Sequence, residues 1–290
     1  MAGRQNGIIM VPLFRGRMGS CKRRNSNHTM TTYLERYQSG EHETVWAELF
    51  ALGVQVRQEP LLTDASAVAR ETMRRVRTNI ELLIPRLETL GYQFGIWEDG
   101  KPVELYSGPL RLPSAATPEG IAQVEQELGP LPLSLWAFAE VIGTVDFCGH
   151  HPEWASKYGP LDPLVVEVPF DKPDYVKYVL DTVREDAEHA QEEGEEGELF
   201  IVISPDIYHK DNISGGMPYE IALNVPAADG PVERLDPRAV SYNERIVPFL
   251  FISYLRICLR WGGFPAFADI IEQERPHEQL AFLTQGLLPF

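Results

Sequence analysis

Cysteine is scarce in this 290-residue chain: Cys21, Cys148 and Cys258 are too few, and odd in number, for a disulfide framework. A reducing compartment follows, and the cytoplasm is the expected location. No apolar run approaches the roughly 20 residues that span a bilayer, so no membrane partner is expected. The short run Ile8 to Phe14 contains Pro12 and is followed by Arg15 and Arg17, whereas a secretory signal carries its charges first. A Gly-rich phosphate loop, paired metal-ligand spacing and a nucleophile motif are all missing, so neither a cofactor nor a metal is expected. Positive charge is also short: 26 Lys and Arg face 42 Asp and Glu, a formal net charge of -16. Six of those cations (Arg4, Arg15, Arg17, Lys22, Arg23 and Arg24) lie in residues 1–30, which hold no acid; residues 31–290 therefore carry -22. A body of that charge repels phosphate backbones, which argues against nucleic acid. It attracts basic protein surfaces and speeds their encounter.

What is present is apolar material: 44% hydrophobic and 10% aromatic residues suffice for a sizeable core. Residues 1–29 read as a disordered leader ahead of Met30. Residues 30–91 read as a helical extension. Val45, Trp46, Leu49, Phe50 and Leu52 predict a short amphipathic helix ending at Gly53. Asp64 or Ser66 is placed to cap a longer one, whose stripe is Met73, Val76, Ile80, Leu83, Leu87 and Leu90. Arg70, Arg74, Arg75 and Arg77 fall mostly on its other side, which reads as a solvated face. Pro85 is expected to kink or divide it.

Residues 92–290 read as one α+β domain. Tyr92 to Trp97 predicts a strand, Asp99-Gly100 a hairpin turn, and Val103 to Tyr106 the partner strand. Thr117 is an expected N-cap, with Pro118 at the first helical position. Ile121, Val124 and Leu128 give that helix one apolar face, and Gly129 ends it. Pro130 and Pro132 enforce an extended corner before an apolar helix, Leu133 to Ile142, stopped by Gly143. Strands are expected at Thr144–Cys148, Leu164–Val168, Leu199–Ile203 and Tyr219–Val225. Asp229-Gly230 turns the chain into Pro231–Arg234. Helices are expected at Asp174–Ala190 and Ile246–Trp261, with weaker helix from Phe267.

Helix, proline corner, aromatic helix and terminal glycine over 117–143 resemble the opening of the SMI1/KNR4 (SUKH) superfamily. Glu140 to Gly149 is similar to its helix-to-strand step, and Asp162 to Val166 to its following strand. Tyr219 to Val225 with Asp229-Gly230 resembles a late hairpin, and Phe251 to Leu255 with Gly262-Gly263-Phe264-Pro265 its last helix. The resemblance covers roughly residues 92–268. It implies a mixed sheet packed with helices, preceded here by the helical extension. It also implies a non-enzymatic protein-binding module: many bacterial members neutralise nuclease-type toxins by binding them, and others act as intracellular regulatory scaffolds.

Three clusters invite chemistry. Cys148, His150 and His151 offer metal-ligand types, but adjacent side chains on a strand diverge and no second cluster completes a set. Asp206, His209 and Asp211 follow a strand, where acid–base chemistry of a hydrolase or metal enzyme is an alternative reading. Trp136 and Trp261 read as core, and Trp154 as an exposed anchor for a partner. The acidic run 185–198 offers charge to a basic groove. The expected partner-binding residues are therefore Asp146, His150, Trp154, Glu192, Glu193, Glu195 and Glu196, facing a basic toxin domain.

Overall fold

The computed structural model describes residues 31–95, 97–98, 101–102, 106–154, 158–193, 199–213, 216–223, 227–233, 249–270 and 277–290. The leader lies outside them, as do Val103, Arg234, Ile246, Glu195 and Glu196.

Three helices open the described chain: α1 (Tyr33–Gln38), α2 (His42–Ala51) and the 29-residue α3 (Leu61–Thr89). Spacing by threes and fours along α3 puts Val68, Ala69, Met73, Val76, Ile80, Leu83 and Leu87 on one fully buried face. Pro85 does not divide the helix. A proline interior to a helix costs about 3 kcal/mol, but each fully buried leucine contributes roughly 1.5–3 kcal/mol. Leu83 and Leu87 flank Pro85 and outweigh it together. Asp64 does not cap α3, which starts three residues earlier. Its carboxylate accepts the backbone N–H groups of Tyr33 (2.6 Å) and Leu34 (3.1 Å), so it caps α1. Arg74 is exposed as the solvated-face reading expects, but Arg70 and Arg75 are not free. Arg70 pairs with Glu140 at 2.8 Å and lies over the Trp136 ring, while Arg75 reaches Glu71, the His42 ring and the carbonyl of Pro289.

Short strands and helices then alternate. They are β1 (Gln93–Phe94), β2 (Trp97–Glu98), β3 (Lys101–Pro102), β4 (Leu110–Arg111), α4 (Thr117–Leu128), α5 (Leu133–Val141), β5 (Thr144–Asp146), β6 (Gly149–His150) and β7 (Val165–Glu167). α6 (Pro173–Glu193), β8 (Phe200–Ser204), α7 (Ile207–Lys210), β9 (Tyr219–Ala222), β10 (Pro231–Glu233) and β11 (Phe249–Leu250) follow, then α8 (Phe251–Arg260), α9 (Phe267–Ile270) and α10 (His277–Thr284). The fold is α+β with an N-terminal helical region. Among the described residues every ladder is antiparallel: β1 with β6, β2 with β3, β4-β5-β7, and β11-β10-β9-β8.

Local departures from expectation have local causes. The partner of β2 is Lys101–Pro102, in register Trp97 to Pro102; the start of the strand expected from Val103 lies outside the described residues. Thr117 is the first residue of α4, not its cap; its hydroxyl accepts the Ser114 N–H at 3.1 Å. Phe249 and Leu250 are extended because they pair with Val232 and Pro231, which delays the last strong helix to Phe251. Gly143 has φ +86°, and a Cβ there would stand 2.5 Å from the Arg111 carbonyl oxygen. Only glycine lets the α5–β5 reversal pass that close to β4.

The helical region and the chain end are tied together. Asn79 donates to the Leu288 carbonyl (2.9 Å) and accepts the Leu288 N–H (2.7 Å), and Arg86 reaches the carbonyls of Leu283 and Gln285. Thr32–Phe290 form one compact unit. Among the described residues, no helix is long and apolar enough to cross a membrane.

Candidate binding surface

β7, α6 and β8 follow one another in the chain and enclose a groove of about 240 Å³. α6 is amphipathic: Val176, Val179, Leu180 and Val183 are buried, and the chain needs that stripe to cover the sheet. Its flank presents Tyr175, Tyr178 and Asp186 to the groove. β8 alternates, with Ile201 and Ile203 buried and Val202 37% exposed. Glu220, which pairs with Val202 across the β8–β9 ladder, and Glu167 of β7 complete the rim. Tyr178 is 60% exposed, an uncommon position for so large a ring, and stands 6.5 Å from the Tyr175 ring. No lysine, arginine or histidine lines the groove among the described residues.

Its electrostatics extend onto β5. Burial, and next the charge of Asp146, push the Glu167 carboxyl above its ordinary range, against Lys172 and Arg111. Asp146 is half-buried, and its carboxyl is also raised by burial, although it accepts the Cys148 N–H at 2.9 Å. Glu167, Glu220 and Asp186 thus line an apolar, tyrosine-walled slot, and Asp146 adds its charge through Glu167. Chemically, such an arrangement suits a cation carried on an apolar stem.

The residues expected to meet a partner are not gathered into one patch. Asp146 joins the groove's field. Glu192 is exposed on the last turn of α6, where the side chain of Glu193, and Glu195 and Glu196, lie outside the described residues. His150 is exposed on β6; Asp211, exposed after α7, has its carboxyl raised by desolvation, which His150 opposes. Trp154 is not an exposed anchor: it is 3% exposed. Its ring sits 5.6 Å from Tyr92, 5.5 Å from Phe264 and 5.4 Å from Phe267. His151 stacks on it at 4.3 Å and is buried as well, held by the Leu90 carbonyl and the Glu153 N–H. The loop folds inward because four aromatic rings bury more apolar surface together than one exposed indole would. Among the described residues, no group of three His, Cys, Asp or Glu side chains could hold a metal.

In the second cluster, Asp206 caps α7 by accepting the N–H groups of Tyr208 (2.8 Å) and His209 (3.3 Å), and its other oxygen meets the His209 ring. The His209 side chain is 52% exposed. An aspartate that orients an exposed imidazole is a possible proton-transfer pair, but its carboxylate is occupied as a helix cap.

Beside it lies a buried pair that no motif announces. Lys210 Nζ lies 2.7 Å from Asp162 Oδ1 with side-chain exposures of 0% and 2%, and Tyr219 donates to Asp162 Oδ2 at 3.0 Å. Asp162 has φ +53°, one of two non-glycine residues with positive φ among the described residues. No local spacing marks residues 48 positions apart as partners. No protein-family model matches this sequence, and neither a curated protein nor a solved structure is significantly similar to it.

Proposed function

We propose that this chain is a non-enzymatic, cytoplasmic protein-binding module that presents its carboxylates to a basic protein. The observation that carries the reading is the groove between α6 and β8, rimmed by Glu167, Asp186 and Glu220 and free of lining cations among the described residues. The SMI1/KNR4 resemblance supplies the class of partner: a basic, nuclease-type toxin that the chain neutralises by occupying it. Charge on a body this acidic speeds encounter, and desolvated aromatic contacts set the residence time.

Stoichiometry tests this. If a basic toxin domain is encoded beside this chain, that domain, purified and titrated with it, should lose activity at one equivalent, remain chemically unchanged, and recover when the complex is dissociated by salt. Inactivation at a small fraction of an equivalent, or a covalent change in the partner, would instead mark an enzyme.

A further inference from the structure

We propose that the α6–β8 groove is an arginine pocket: it takes one arginine side chain of the partner, guanidinium first. This rests on the protein-binding reading above and makes it specific.

Three features select the ligand. The lining has carboxylates and no cation among the described residues, so the occupant is positive. The walls are apolar and aromatic, with Tyr178 exposed beside Tyr175 and Val202 in the lining, so the charge must arrive on an apolar stem. The choice between arginine and lysine follows from shape. A guanidinium stacks on tyrosine faces and offers a planar fork of donors to carboxylates, whereas an ammonium is compact and more strongly hydrated. Glu167 and Glu220 lie on different strands and both line the slot; carboxylates suit the planar fork of a guanidinium better than an ammonium. The volume of about 240 Å³ holds one such side chain, not a folded element.

The test is a heteronuclear NMR titration of the full chain with N-acetyl-arginine amide, N-acetyl-lysine amide and N-acetyl-citrulline amide. The arginine probe should give saturable shifts at the amides of Tyr178, Val179, Val202 and Glu220. Citrulline, isosteric and uncharged, should give none, and lysine at least fivefold weaker binding. E167Q/E220Q should keep its dispersed spectrum and lose the arginine response. Absence of a saturable response, equal binding of citrulline or lysine, or a folded E167Q/E220Q that still binds would overturn the assignment. If arginine fails here while the one-to-one complex forms, the pocket is wrong and the binding reading stands. If arginine binds but no complex forms, the reverse holds.

Discussion

Lys210 and Asp162 form an ion pair of 2.7 Å with neither side chain open to water. It joins α7 to the segment before β7, and Tyr219 of β9 completes it from the neighbouring sheet. Lys210 also stands 4.5 Å over the Tyr219 ring. Removing one partner of such a pair strands a buried charge and costs about 3–5 kcal/mol. K210M should therefore lower the unfolding free energy measured by urea titration by that amount, and D162N/K210M should recover part of the loss. A K210M variant as stable as the parent would show that Asp162 is compensated elsewhere.

Asp229 carries a pH signature. It is buried between two helix starts, accepting Ser134 Oγ at 2.6 Å and the N–H groups of Gly230 and Ile252. Burial outweighs those bonds and raises its carboxyl from 3.8 to about 6. The native state thus keeps this proton to higher pH than the unfolded chain does. Its contribution to stability is fullest below 3.8 and is lost as pH rises to about 6. The lost amount is about 3 kcal/mol at 1.36 kcal/mol per pH unit. Unfolding free energies at pH 4 and pH 7 should show D229N gaining on the parent by roughly that much. Equal pH slopes in the two proteins would contradict it.

Trp154 separates a core residue from an interface anchor. Enclosed by Tyr92, Phe264, Phe267 and His151, its truncation to alanine should cost about 3–5 kcal/mol of stability. Thermal unfolding reads this directly. A fully stable W154A would mean that the ring is dispensable to the fold.

Gly143 gives a backbone test. G143A places a methyl against the Arg111 carbonyl at positive φ, and it should destabilise by about 1–3 kcal/mol or more. A neutral G143A would mean that β4 and the α5–β5 turn move apart freely.

The helices and most strands were legible because each rests on periodicity within one segment. The α3 stripe, the stop at Gly129 and the buried runs at β7 and β8 needed nothing distant. What misled was long-range pairing. Asp64 has the right type and place for capping α3, yet α1 lies closer to its carboxylate. Phe249 continues a helical pattern, but the open edge of β10 claims it first. Trp154 looked exposed because its flanks are polar, and the rings that bury it lie about 60 and 110 residues away in sequence. The groove was half visible. Asp146 and the acidity of α6 were legible, while Glu167, Tyr178 and Glu220 are single residues that only the packing of α6 on the sheet brings together.

Zero-length carbodiimide cross-linking in the native cell tests the central claim most directly, because it joins a carboxylate to a lysine only where the two touch. The account predicts heterologous cross-links between lysines of one basic protein and Glu167, Asp186 or Glu220, reduced at high salt. Cross-links confined to other faces of the chain, with those three carboxylates unmodified by any partner, would contradict it.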